Sequence, residues 1–195
     1  MAQEVVGGQF CRAERDQHLV YAEHCLSSHN VKDVSTGNLV FKVKHPTFGK
    51  ADILVKDRNS TTVLRLCQKI WHLHATWQVF PGGKSSEMLF LVKESSLLEF
   101  NLSMHVFLGP NKSPKEHPDF KVRRKASSSS IKIYNRNDQI IAKIKPSCGC
   151  CLLGGHDIHV NAGTDSAFVL SLFLIVHAKD QEIADTMEQV MATVR

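Results

Sequence analysis

The sequence predicts a mainly β protein: a closed antiparallel β-barrel around one apolar helix near the C-terminus. Most of the chain alternates apolar and polar residues with a period of two, as half-buried strands do. The exception is residues 167–178, which are apolar on nearly every side. A helix without a polar face must be surrounded by protein. In a chain made otherwise of strands, the simplest enclosure is a sheet closed around that helix.

The alternating runs are short and are separated by turn residues at near-regular intervals, as in a β-sandwich or barrel. Turns rich in Asp, Asn, Ser and Gly join strands within residues 31–41, 53–64 and 131–145, and we expect an antiparallel hairpin at each. The runs cover residues 39–44, 53–56, 63–68, 76–80, 88–93, 100–108, 120–125, 131–134 and 139–145.

The central helix is predicted over residues 165–178. Gly163 interrupts the preceding chain, and the Asp165 carboxylate can cap free N–H groups at the helix start. The apolar run is too short to cross a bilayer, which takes about 20 residues. The alternative is a β-strand in a sandwich core, because Phe, Val and Ile favour strands. A second, amphipathic helix is predicted over residues 180–194, lying against the outside of the same domain or binding a partner.

Length and composition fit one domain over residues 1–195. Hydrophobic residues make up 43% and charged residues 22%, which argues against wholesale disorder. The N-terminus has no basic flank followed by an apolar core, so we expect no secretory signal. Six irregularly spaced cysteines indicate a reducing compartment. We therefore expect a cytoplasmic protein, with peripheral membrane or nuclear location as alternatives.

Charge is distributed unevenly. Residues 42–145 contain 19 Lys and Arg against 8 Asp and Glu, whereas both ends are net acidic. Alternation directs a set of cations to the outside of three consecutive predicted strands, and these are the candidate anion-binding residues. They are Lys121, Arg123, Lys125, Lys132, Lys143 and Lys145. If the three strands are neighbours, such a surface can bind phosphate groups with about 1 kcal/mol per cation near an anionic membrane.

The alternative for this surface is a solvated face whose lysines discourage edge-to-edge pairing. Arg124 has the parity of an inward residue, so we expect a bulge or the strand end there. In the next hairpin, Tyr134 is expected opposite Gln139. The residues expected to face inward are Ile131, Ile133, Ile140, Ala142 and Ile144. The serines at 127–130 form a loop beside the cations, and a phosphate there would weaken anion binding.

A metal or catalytic site is not favoured. Three cysteines, Cys148, Cys150 and Cys151, followed by His156 and His159, offer enough ligands for zinc in principle. A turn at residues 154–155 would instead place them on paired strands with alternate residues pointing oppositely, so a reduced thiol cluster is the better interpretation. No nucleophile elbow, His-Glu-x-x-His or phosphate loop is present. We expect no enzyme, no cofactor and no catalytic residue.

The sequence resembles the plant LURP-one-related family. The resemblance is carried in order by residues 37–49 (GNLVFKVKHPTFG), 52–55 (DILV), 73–80 (LHATWQVF), 119–122 (DFKV) and 165–169 (DSAFV), and it spans roughly residues 5 to 178. His45 stands where the family commonly has Asn, and Ser166 where an aromatic residue is usual. Residues 12–30 match poorly, and the first strand is not placed.

The resemblance extends to the C-terminal domain of tubby proteins and to phospholipid scramblases. It implies a barrel of about twelve strands closed around a hydrophobic helix. It also implies phosphoinositide or acidic phospholipid binding, and a membrane-tethered regulator in plant defence. Fold likeness is weak warrant for function. A protein-interaction scaffold without a ligand and a nucleic-acid-associated regulator therefore stay open as alternatives. A nucleic-acid-binding surface is expected to have exposed aromatic residues among its cations.

Overall fold

A computed structural model shows twelve antiparallel strands closed into a barrel around one α-helix. It describes residues 3–12, 14–22, 28–45, 52–71, 74–82, 87–95, 102–109, 117–125, 127–147 and 155–193. The elements are β1 (Gln17–Ala22), β2 (Ser28–Asp33), β3 (Leu39–Lys44), β4 (Asp52–Asp57), β5 (Thr62–Trp71), β6 (His74–Pro81), β7 (Phe90–Glu94), β8 (Leu102–Leu108), β9 (Phe120–Arg124), β10 (Ile131–Asn135), β11 (Ile140–Pro146), β12 (Gly155–Val160) and α1 (Ser166–Thr193). The predicted fold class is confirmed.

Each strand pairs with its neighbours in sequence, and β1 pairs with β12 to close the barrel. Strand β1 lies in the region that the sequence left unplaced, and β2 begins there and continues into the first predicted hairpin, which its antiparallel pairing with β3 confirms. Their inward side chains Leu19, Tyr21 and Val31 are fully buried. A closed barrel has no free edge. Protection against edge pairing therefore does not account for the lysines on its strands.

The first half of α1 fills the barrel. Residues 166–176 are all buried. The Phe168 ring lies between those of Phe90 and Phe120, with centroids 5.2 and 4.7 Å away, and Phe173 packs on Tyr21 at 5.1 Å. No helix in the described part of the chain is long and apolar enough to cross a membrane.

Asp165 organises the helix start. Its side chain is fully buried, and its Oδ1 accepts hydrogen bonds from the backbone N–H groups of Ala167 (3.0 Å) and Phe168 (3.1 Å), as the sequence predicts for a cap. Its Oδ2 accepts from the N–H groups of residues 5–7 at 2.7 to 3.3 Å. One carboxylate thus joins the N-terminal segment to the central helix.

The C-terminal half of α1 differs from the prediction of a separate helix over residues 180–194. The two predicted helices are one continuous helix of 28 residues, roughly 42 Å long. Residues 181–193 are exposed, so this half does not lie against the barrel. The reason is that no break follows the buried run, and the helix continues out of the barrel mouth. Its exposed large apolar residues are Ile183, Met187, Val190 and Met191.

Ion pairs hold the helix where it leaves the barrel. Arg124, at the end of β9, makes two hydrogen bonds to the Asp180 carboxylate, at 2.5 and 2.7 Å. Lys179 pairs with Glu94 at the end of β7. Arg124 thus has the inward parity that the sequence indicates and stands at its strand end, where it can reach the helix.

The β10–β11 hairpin differs from prediction in its register. Tyr134 lies opposite Ile140, not Gln139, and Ile133 lies opposite Ala142. Ile141 is therefore an extra residue, a β-bulge. It is buried, whereas Ile140, expected inside, is half-buried. Beyond the bulge the expected alternation holds: Ala142 and Ile144 are fully buried.

Candidate anion-binding face

The three basic strands are neighbours in the barrel, in the order β11, β10, β9. Lys132 on β10 lies opposite Arg123 on one side and Lys143 on the other. Three cations therefore form a row across three strands. Like charges directly opposite each other destabilise a sheet. Sheet stability does not account for this row.

A groove runs beside the row on the outside of the barrel. We call it the basic groove; it has a volume of about 410 Å³ and is lined by Leu102, Ser103, Arg123, Arg124, Lys125, Ser128, Ser130, Lys132 and Tyr134. None of these described lining residues is acidic. The Arg123 guanidinium lies 5.5 Å from the centre of the Tyr134 ring, in cation–π contact. The groove therefore combines net positive charge with hydroxyl groups and the side chain of Tyr134.

The groove's cations reach solvent beside residues that are packed in the core. Arg123 and Lys125 are exposed and Lys132 is half-buried. Val122, next to Arg123, and Ile131 and Ile133, on either side of Lys132, are buried in the core. Because side chains alternate across a strand, the buried set fixes the outward direction of Arg123 and Lys132. The positive charges can therefore meet a ligand without rearrangement of the backbone.

Two of the six candidate cations lie apart from the groove, each near an acid. The Lys121 ammonium contacts the Asp138 carboxylate at 2.9 Å, and this hydrogen bond and charge lower the pKa of Asp138. Lys145 lies opposite Asp157 on β12. Lys143 is exposed and continues the row. The structure thus brings together Arg123, Lys125 and Lys132, with Lys143 next to them.

Histidines on the flanking strands report the positive charge. His105 on β8 has a lowered pKa, first because of burial and then because of Lys121 and Arg123. His159 on β12 also has a lowered pKa, chiefly from burial and the neighbouring His18, with smaller contributions that include Lys145 and Lys143. In both histidines the lysines and arginine of the face add to a shift that burial dominates.

Sequence reasoning missed the polar residues that complete the groove. Ser103 and Tyr134 line it, and Arg124 contributes at its end while pairing with Asp180. Tyr134 has the same outward parity as Lys132, and Ser103 lies opposite Arg123 on β8. Parity on neighbouring strands was the signal for both. The pairing of Arg124 with a residue on the helix left no local signal.

The alternative sites receive little support from the described residues. The cysteines at 148, 150 and 151 lie outside them. His156 packs on Phe173 at the barrel mouth, whereas His159 stacks on His18 at a centroid distance of 4.1 Å. No group of three His, Cys, Asp or Glu side chains suited to a metal occurs in the portion described. Ser166 Oγ donates a hydrogen bond to the carbonyl of Phe10.

A closed twelve-stranded barrel around an apolar helix defines an architecture consistent with the tubby-like superfamily. The LURP-one-related family model matches residues 19–177. The chain therefore belongs to the LURP-one-related family, as its motifs indicate.

Relatives of known sequence and structure agree. The chain is 36% identical over 160 residues to Protein LURP-one-related 15 of Arabidopsis thaliana, covering 78% of this chain and 73% of the relative. It is 35% identical to Protein LURP1 of the same plant, covering 72% and 71%. An X-ray structure of an Arabidopsis thaliana protein superposes with a TM-score of 0.70 at 28% identity, covering 91% of this chain and 98% of that one.

Proposed function

We propose that this chain is a non-enzymatic module that binds the phosphorylated head group of an acidic phospholipid, such as a phosphoinositide, in the basic groove. The observation that carries the proposal is the cross-strand pairing of Lys132 with Arg123 and Lys143 beside a groove whose described lining is free of acids. Repulsion among these cations is relieved by a bound anion. Family membership alone does not identify a ligand.

The groove residues suit distinct parts of such a head group. The Arg123 guanidinium can donate two parallel hydrogen bonds to one phosphate, whereas Lys125 and Lys132 act as point charges. The hydroxyls of Ser103 and Tyr134 are suited to the ring hydroxyls of an inositol. Three cations at about 1 kcal/mol each supply roughly 3 kcal/mol, or about a hundredfold in affinity.

Attachment of this kind is peripheral and reversible. It depends on charge, so it weakens as salt screens the interaction over about 8 Å at physiological ionic strength. A module that joins and leaves an anionic membrane suits the membrane-tethered regulator in plant defence that the family resemblance implies.

The experiment is co-sedimentation of the intact protein with vesicles of phosphatidylcholine alone or with added phosphatidylinositol bisphosphate, at low and at physiological salt. We expect binding only to the phosphoinositide vesicles, decreasing with salt. Replacing Arg123, Lys125 and Lys132 together by Ala is expected to lower the affinity by roughly a hundredfold.

The matched control replaces Lys44, Lys56 and Lys69 by Ala. These lysines have the outward parity on β3, β4 and β5, and β4 lies six strands from β10 around the barrel. The net charge changes equally in the two triple variants, so a difference between their vesicle affinities indicates a local binding site. Equal losses in both, or no binding by the intact protein at low salt, would contradict the proposal; the search should then turn to protein partners.

A further inference from the structure

The loop between β9 and β10 forms part of the wall of the basic groove. Its ends are held together because Arg124 lies opposite Ile131. The Ser128 backbone N–H donates to the carbonyl of Lys125 at 2.9 Å, which closes a turn. The Ser130 N–H donates to Ser128 Oγ at 3.1 Å. These two hydrogen bonds fix Ser128 relative to Lys125 and Ser130, and the hydroxyls of Ser128 and Ser130 lie beside the cations of the groove.

Ser128 occupies a particular place in this loop. It lines the basic groove together with Arg123, Lys125 and Lys132. It also lines a second cavity of about 520 Å³ at the barrel mouth, with Arg124, Asp180 and His156 among the neighbouring walls. Its side chain is exposed, so an enzyme can reach it. Ser127 and Ser129 are also exposed but do not line the groove.

We propose that Ser128 is a phosphorylation site and that its phosphate is bound by the groove's own cations, closing the groove to an external phosphate ligand. The regulatory part of this inference rests on the proposed function. A phosphoserine carries about −1.5 to −2 charges and three acceptor oxygens near pH 7. Held by the loop beside Arg123, Lys125 and Lys132, it competes with any free anion as an intramolecular ligand.

The modifying enzyme would be a serine kinase that selects basic residues before the acceptor, because Arg123, Arg124 and Lys125 precede the loop. In the transfer, Ser128 Oγ attacks the γ-phosphorus of ATP. A new O–P bond forms, the bond from that phosphorus to the bridging oxygen breaks, and ADP leaves. The hydroxyl proton passes to the kinase's catalytic base.

The first test treats the full chain with ATP and a kinase of this class, maps the phosphate by mass spectrometry, and repeats the treatment on Ser128→Ala. We expect phosphate on Ser128. Modification confined to Ser127, Ser129 or Ser130, or no modification, overturns the proposal.

The second test titrates the phosphorylated chain by ³¹P NMR. Nearby cations favour the dianion, so the second pKa of the phosphate should fall below its usual value of about 6 and return toward it in Lys125→Ala. A phosphate with an ordinary pKa overturns the intramolecular contact. This readout needs no lipid, so it stands even if the intact protein fails to bind vesicles and the proposed function fails.

The third test measures vesicle affinity before and after phosphorylation. Neutralising about two cations at about 1 kcal/mol each predicts a loss of roughly thirtyfold, absent in the treated Ser128→Ala protein. An unchanged affinity in a protein that binds vesicles when unmodified overturns the regulatory role alone.

Discussion

The inner and outer faces of β9, β10 and β11 are one residue apart in sequence but are shaped by different forces. Inside, Val122, Ile133 and Ile144 are fully buried against the central helix and its neighbours. Outside, Arg123, Lys132 and Lys143 form a cross-strand row that opposes pairing. The inner face is explained by burial of apolar area. Burial does not explain the outer face, and this is the reason for testing it as a candidate site.

The sharpest test of the contrast compares two adjacent residues of β10. Ile133→Ala leaves a cavity in a fully buried position and is expected to lower the free energy of unfolding by about 2–5 kcal/mol. Lys132→Ala is expected to change it by no more than about 0.5 kcal/mol. Urea denaturation of both variants measures this difference. A large loss in Lys132→Ala would show that the outer face also contributes to stability.

Arg124 sharpens the contrast because it has inward parity and yet is charged. Arg124→Ala removes both hydrogen bonds to Asp180 and is expected to cost about 1–2 kcal/mol. A double-mutant cycle with Asp180→Ala separates the ion pair from packing. If the loss in the double variant equals the sum of the losses in the two single variants, the ion pair between Arg124 and Asp180 does not contribute to stability.

His156 is an inward polar residue at the barrel mouth, and it gives the inner face a pH dependence. Burial, with His177 next, lowers the pKa of His156 to about 4. The unfolded chain therefore binds a proton between about pH 6.5 and 4 that the folded chain does not. Stability should fall as the pH decreases through this window. His156→Asn should flatten the dependence, as measured by denaturation from pH 7 to 4; an unchanged slope would exclude this role.

Substitution of Asp138 is expected to have a smaller effect, and it should strengthen ligand binding instead of weakening it. It pairs with Lys121 and has a left-handed backbone conformation (φ 57°), which Asn also tolerates. Asp138→Asn should therefore keep the turn, release Lys121, and strengthen phosphoinositide vesicle binding by about fivefold. Co-sedimentation measures the change, and Asn137→Ala in the same turn is the control. Unchanged or weaker binding by Asp138→Asn would contradict a contribution from Lys121.

The sequence allowed the barrel and its basic face to be predicted because both depend on local periodicity. Alternation with a period of two assigns an inside and an outside, and short turns make consecutive strands neighbours. The apolar stretch of α1 was recognisable because it lacks a polar face. These features need no knowledge of distant contacts.

Other features depend on contacts that sequence spacing does not reveal. The bulge at Ile141 shifts the register of one hairpin, and only the assembled strands show it. The first residues of β2, Ser28, His29 and Asn30, are polar, so the pattern at the start of this strand is weak, whereas its continuation from Val31 was part of a predicted hairpin. The pairing of Arg124 with Asp180 joins residues 56 positions apart. Predicting the groove would have required the positions of the β9–β10 loop and of β8, in addition to the parity of β9 and β10.

The most direct test of the central claim compares an outer histidine with an inner one. His105 lies on the outside of β8, opposite Lys121, and His156 lies inside the mouth. We would follow the pKa values of both by NMR, with and without soluble inositol trisphosphate. A phosphate bound beside Arg123 should raise the pKa of His105 and leave that of His156 unchanged. An unchanged His105, or equal shifts in both histidines, would contradict a phosphate site on the outer face.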